Sequence, residues 1–189
     1  MKIGVISDTH GNVPALRGAL EFFDGVDLIV HAGDVLYHPP KLGCTDGYDI
    51  PAFVEILNSI QVPVVIAQGN CDAQVYEELL NMPVQAPYAY ANCGGMGILV
   101  NHGHLLSRKQ MIELGKRYRA SYFIFGHTHI PVLEKVDGLI VMNPGSPSIS
   151  KYEINGRPVP SVGIITKKGA RIISIEDGST ILEISRGAG

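Results

Sequence analysis

Cysteine, aromatic side chains and charge are all scarce in this chain. Its three cysteines, Cys44, Cys71 and Cys93, are odd in number and scattered. They give neither a disulfide framework nor a thiolate zinc site, and they point to a reducing, cytoplasmic setting. Aromatic residues are 7% and charged residues 17% of the sequence, with a net charge of −3. No basic face is available for duplex nucleic acid, and no stretch interleaves Arg or Lys with aromatics. Long nucleic acids are therefore excluded as expected partners. No apolar run approaches the length needed to cross a bilayer, so no membrane association is expected. Met1 leads straight into a strand-like segment, Lys2 to Ser7, with no signal-peptide pattern ahead of it.

What is present suits a folded domain. Hydrophobic residues make up 46% of 189 positions, enough for one domain, 1–189, with a substantial core. Five polar clusters stand out, each after an apolar run. They are Asp8-Thr9-His10, Gly33-Asp34, Gly69-Asn70, His102-Gly103-His104 and Gly126-His127-Thr128-His129. Asp8, His10, Asp34, Asn70, His102, His127 and His129 supply two carboxylates, one amide and four imidazoles. That is a ligand set for two adjacent divalent metals. Taken singly, each cluster has a plainer explanation: Asp-x-His as a cap or surface pair, Gly-Asp as a turn, a lone His as a core residue. The ordered series is what points to metal.

Along the chain, Lys2 to Ser7, Val26 to Val30, Pro63 to Ala67, Met96 to Val100, Ser121 to Phe125 and Leu139 to Met142 read as strands. Helices are expected after Asn12 (an N-cap, with Pro14 in the first turn), from Pro51, around Gln74 to Leu80, and from the Ser107 cap to about Tyr118. Ser161 to Thr166, Arg171 to Glu176 and Thr180 to Ile184 then form a β-meander, turning at Lys168-Gly169 and Asp177-Gly178. The segment Val35 to Ile50 is irregular, which suits a lid or an interface. Alternating strands and helices predict an α/β protein with apolar central strands covered on both faces. Ligands in such folds bind beyond the carboxyl ends of the strands, where the clusters lie.

The chemistry of the donors is consistent with this. Two-residue spacing lets Asp8 and His10 face one ion while Thr9 turns away. Asp34 has two oxygens and can bridge two cations, and Asn70 offers a neutral amide oxygen. Mixed nitrogen and oxygen donors suit manganese, iron, zinc, cobalt or nickel, and suit magnesium or calcium alone poorly.

The order Asp-x-His, Gly-Asp, Gly-Asn-x-Asp, His-Gly-His and Gly-His-Thr-His resembles that of the calcineurin-like metallophosphoesterases, from Asp8 to about Ser150. Gly33-Asp34-Val35-Leu36, Gly47-Tyr48, Gly69-Asn70-Cys71-Asp72 and Asn143-Pro144-Gly145-Ser146 are most similar to the YfcE-like bacterial phosphodiesterases. The resemblance implies a four-layer α/β/β/α sandwich with mixed central sheets and a C-terminal β-meander. It implies two divalent metals, manganese foremost, one held by Asp8, His10, Asp34 and His129 and the other by Asp34, Asn70, His102 and His127. It further implies hydrolysis of small phosphodiesters by in-line attack of a metal-bridging hydroxide. A homodimer or homotetramer fits the proline-rich loop.

Three residues are expected beside the metals as catalytic candidates. Many relatives carry His at the place of Cys71. Its thiol either donates to the leaving group or is an inert small side chain. His104 either flanks the phosphate or caps the following helix. Asp72 either orients Cys71 or a ligand histidine, or is a turn residue. Tyr37 and His38 lie in the loop and are not counted as ligands. Two other functions stay open: a retromer-subunit-like protein-binding scaffold, and a cyclic-nucleotide phosphodiesterase or phosphomonoesterase.

Overall fold

The structure is a computed structural model that describes residues 1–39 and 44–186. In chain order the elements are β1 (Lys2–Ile6), α1 (Val13–Glu21), β2 (Leu28–His31), α2 (Ile50–Ser59), β3 (Val64–Ala67), α3 (Tyr76–Leu79) and β4 (Val84–Gln85). There follow β5 (Ala89–Cys93), β6 (Met96–Val100), α4 (Arg108–Arg117), β7 (Tyr122–Ile124), β8 (Val132–Val136) and β9 (Leu139–Asn143). The chain ends with the short hairpin β10 (Glu153–Ile154) and β11 (Arg157–Pro158), then β12 (Ser161–Thr166), β13 (Gly169–Ser174) and β14 (Thr180–Ser185).

Two mixed sheets carry the fold, in the orders β14-β13-β12-β1-β2-β3-β4 and β5-β6-β7-β9-β8. Strand side chains alternate between faces, so each sheet has two apolar faces to cover. Ile3, Val5 and Val30 of the first sheet meet Ile98, Ile124 and Met142 of the second in the central layer. Ile29, Ile66 and Ile164 point the other way, onto Leu16, Phe53 and Leu57 of α1 and α2. Leu99, Phe123 and Val141 pack outward against Met111 of α4. The result is the four-layer α/β/β/α sandwich. Burying one such aliphatic side chain is worth roughly 1.5–3 kcal/mol, and the central layer and the layer under α1 and α2 hold most of them.

Local signals placed the helices. The Asn12 side chain accepts from Ala15 N at 2.8 Å, and Pro14 sits in the first turn of α1. Asp49 caps α2 in the same way. Ser107 and Gln110 form a reciprocal capping box on α4. The C-terminal meander is as expected, except that β13 begins at Gly169, already paired with Thr166, so Lys167-Lys168 makes the turn. Strict strand–helix alternation does not hold in the second sheet. β5 and β6 form a hairpin through Gly94-Gly95, and β8 and β9 one through Asp137-Gly138, all four turn residues at positive φ. Such pairs suit the tight turns whose twist matches antiparallel strands.

The topology positions the site. β1, β2 and β3 are parallel, as are β6, β7 and β9. Their carboxyl ends meet at one end of the sandwich, and each of the five polar clusters leaves one of them. No helix among the described residues is long and apolar enough to cross a membrane.

Candidate metal centre

The backbone at this end is bent in an unusual way. Asp8 (φ 55°), His10 (48°), Asp34 (56°), His127 (68°) and His129 (59°) all adopt the left-handed conformation. Among the described residues only eight non-glycine positions do so, and five of them are here. Each costs roughly 1–2 kcal/mol, so the surrounding contacts must enforce it. Two glycines permit the crowding. A methyl on Gly69 would collide with the backbone N and carboxylate of Asp34, and one on Gly126 with Ser7 Oγ and the Asp8 carboxylate.

The enforcing contacts are hydrogen bonds. Both carboxylate oxygens of Asp72 accept backbone N–H groups: Asp34 N at 2.9 Å, Val35 N at 2.8 Å and Gly69 N at 2.8 Å. Asp72 therefore holds the Asp34 and Gly69 turns. Burial and the nearby Asp34 charge push its carboxyl up to about 6, against the pull of the three N–H donors. Thr9 turns away, as expected, donating to Val35 O at 2.9 Å and meeting His31 Nε2 at 2.9 Å. Asn143 Nδ2 donates to Gly126 O at 2.7 Å, and the hydroxyls of Ser146 and Ser148 both donate to Asp8 O. The turn after β9 thus buttresses the site.

Three buried imidazoles are oriented alike. His10, His102 and His129 each donate Nδ1–H to a backbone carbonyl: Tyr37 O at 2.7 Å, Ala32 O at 2.7 Å and Ile149 O at 2.6 Å. In their neutral forms His10 and His129 then present bare Nε2 lone pairs to the interior, while His102 points its Nε2 at Asp34. His10 Nε2 and His129 Nε2 face one another at 3.4 Å. His129 Nε2 lies 3.3 Å from Asp8 Oδ1, and His102 Nε2 lies 3.3 Å from Asp34 Oδ2 and 3.2 Å from Asn70 Oδ1. The same Asp34 oxygen is 3.8 Å from His10 Nε2. Acceptors converge on acceptors, an arrangement that a cation relieves. Compact groups form from Asp8, His10 and His129, from Asp8, Asp34 and His102, and from His10, Asp34 and Cys71. The donor set thus fits divalent metal on this structure's own geometry.

The sequence as a whole matches a family model described as the calcineurin-like phosphoesterase superfamily domain, over residues 1–166. The chain belongs to this superfamily. The phosphoesterase is 33% identical over 187 residues to the phosphodiesterase YfcE of Escherichia coli, with 98% of each covered. It is 27% identical over 187 residues to the phosphodiesterase MJ0936 of Methanocaldococcus jannaschii, covering 93% of this chain and 100% of that one. The solved structure of the E. coli phosphoesterase YfcE superposes with a TM-score of 0.84 at 32% identity, over 99% of this chain and all of that one. Vps29 of Entamoeba histolytica with zinc shares the fold alone, at a TM-score of 0.66 and 20% identity.

Electrostatics in the phosphoesterase follow from the convergence of acceptors. Burial opposes a charged His102, but the Asp34 hydrogen bond and the charges of Asp8 and Asp34 outweigh it and lift His102 to about 9. Burial likewise opposes a charged Asp34, and His102 with the Cys71 N–H outweighs it, holding that carboxyl far below the usual range. A proton occupies the place of a metal between them. Burial lowers His10 and His127.

The remaining expected residues fall at the mouth. Asn70 and His127 are exposed, and the His127 ring stands edge-on to His102 with centroids 5.3 Å apart. The His104 ring lies 5.5 Å from His102 and 6.0 Å from His127. Ser107, not His104, caps α4, so His104 belongs to the mouth. Cys71 N donates to Asp34 Oδ1 at 2.8 Å, and Asn70 Nδ2 donates to Cys71 Sγ at 3.2 Å. Burial and the Asp34 charge push the thiol up to about 12, so it stays protonated. In the Val35 to Ile50 loop, Tyr37 contributes its carbonyl to His10, and the His38 ring stands 6.3 Å from that of His10. Positions 40–43 of the expected lid lie outside the described residues. His31, completely buried beneath the site, escaped the sequence reading; its only signal was a histidine two residues before Gly33.

Proposed function

We propose that residues 1–189 form one metallophosphoesterase domain that hydrolyses small phosphodiesters at a dinuclear centre. One metal is held by Asp8, His10, Asp34 and His129, the other by Asp34, Asn70, His102 and His127. The observation that carries this reading is the facing pair of bare Nε2 atoms, His10 and His129, at 3.4 Å with both Nδ1–H groups committed elsewhere. A single Asp34 oxygen within 4 Å of both His10 and His102 supports its role as the bridge. The phosphodiesterase names of YfcE and MJ0936 support the substrate class.

Bound metals supply an activated water for in-line attack and polarise the phosphoryl oxygens. Two divalent ions would bring four positive charges against the two carboxylates of Asp8 and Asp34 and one hydroxide, and a phosphodiester monoanion would neutralise the remainder. The protein's part is orientation. Second partners on every buried imidazole fix its tautomer, which raises its basicity and aims its lone pair. His104 at the mouth offers a donor to phosphate oxygens, and the protonated Cys71 thiol offers one to a leaving oxygen. Mixed nitrogen and oxygen donors suit manganese, iron, zinc, cobalt or nickel, and the family resemblance puts manganese first. The scaffold alternative fits poorly, because the strained backbone at five donor residues has no purpose without an ion.

The test is hydrolysis of bis(p-nitrophenyl) phosphate by metal-stripped protein, with and without added Mn2+. Metal-dependent release of p-nitrophenolate is expected. Absence of turnover with every divalent metal overturns the enzyme reading in favour of the scaffold.

A further inference from the structure

His31 ends β2 with its side chain on the helix-covered side and is buried to 1% exposure. Its hydrogen bonds have only one consistent direction. Gly33 N–H donates to Nδ1 at 3.1 Å, so the ring proton is on Nε2. Nε2–H then donates to Thr9 Oγ1 at 2.9 Å, and the Thr9 hydroxyl donates onward to Val35 O at 2.9 Å. A three-bond thread thus starts at the residue before Asp34, passes between Asp8 and His10, and ends at the residue after Asp34. It reinforces three backbone bonds between the same turns: Asp8 N to Gly33 O, His10 N to Asp34 O and Gly11 N to Val35 O.

We infer that His31 is a positioning residue for metal binding, on the reading that Asp8, His10 and Asp34 are metal ligands. It locks the Asp8–His10 turn against the Asp34 turn, so that three left-handed donors hold their spacing before any ion arrives. An apolar residue of similar size fills the same volume but leaves Gly33 N–H without an acceptor and takes from the Thr9 oxygen its only donor in a dry interior. The strained turns then relax, and the donors diverge. A histidine that merely filled the core would have no such effect on metal.

The experiment compares wild type, His31→Leu, Thr9→Val and the double variant, all metal-stripped. Calorimetric titration with Mn2+ and with Zn2+ reads affinity, and thermal unfolding without metal reads the fold. Each single variant is expected to bind metal on the order of 10–100-fold more weakly. The double variant should be no worse than either single, since both cut one thread. Excess Mn2+ should restore kcat on bis(p-nitrophenyl) phosphate with KM for the ester unchanged. Variants that bind metal as wild type does, whatever their melting temperature, overturn the inference. If His31→Leu does not fold, Thr9→Val decides alone, because it removes the middle of the thread and leaves His31 in place. A wild type that binds neither metal overturns the dinuclear centre itself, a result distinct from equal binding by all four proteins.

Discussion

His10 Nε2 lies 3.4 Å from His129 Nε2, 119 residues away in sequence, and in the neutral rings neither nitrogen carries a proton. Both rings spend Nδ1–H on backbone carbonyls. Two lone pairs held face to face destabilise the metal-free protein, and a cation between them reverses the sign.

Divalent metal should therefore stabilise the fold. At a free concentration 100 times Kd the gain is about 2.7 kcal/mol, or roughly 5–10 °C in Tm for a chain of this size. Thermal melts in chelator and in Mn2+ measure it. His10→Ala and His129→Ala should each abolish most of the shift; a full shift in both variants counts against these two ligands.

Metal binding should compete with a proton at His102. Its folded pKa near 9 lies above the ordinary 6.5. The charged imidazole thus stabilises the metal-free fold fully below about pH 6.5, and that contribution disappears as pH rises through about 9. Metal-free Tm should fall across this window. Metal affinity should move the other way, rising up to about tenfold per pH unit until His102 is neutral. Titrations at pH 7.5 in buffers of different ionisation enthalpy should show close to one proton released. No proton release would contradict the His102–Asp34 pairing.

Gly69→Ala should abolish metal-dependent activity, because its methyl collides with Asp34 N and the Asp34 carboxylate. Gly138→Ala is the control: its φ is +88° but nothing lies within 4 Å, so only a backbone cost of about 1 kcal/mol is expected, with kcat unchanged. Comparable losses in both would count against the Asp34 collision as the cause.

Asp72→Asn should destabilise by roughly 1–3 kcal/mol, since an amide cannot accept all three N–H groups that the carboxylate accepts. The denaturant midpoint should fall at constant m-value. A midpoint equal to wild type would mean those three bonds contribute nothing.

Cys71→Ala should separate substrates by leaving group. A thiol pushed up to about 12 can only donate. Turnover of an alkyl diester should drop by up to about 10²-fold, while bis(p-nitrophenyl) phosphate, whose leaving group needs no proton, changes little. Turnover of both esters unchanged from wild type would make Cys71 a space-filler.

The sequence alone determined the strand-end clusters, the helix caps and the C-terminal meander, because each depends on residues within a few positions of one another. Asn12, Ser107 and the Gly-containing turns act locally, and so did the spacing of Asp8 and His10. The tertiary structure alone decided how the donors meet. Which oxygen of Asp34 reaches two histidines, which carbonyl fixes each imidazole, and how Asp72 braces the Asp34 turn depend on contacts across 20 to 70 residues. His31 shows why such roles are hard to read in a sequence. Beside Gly33-Asp34 it looks like any strand-end histidine, and its role depends on Thr9, which only the parallel pairing of β1 with β2 brings within 2.9 Å.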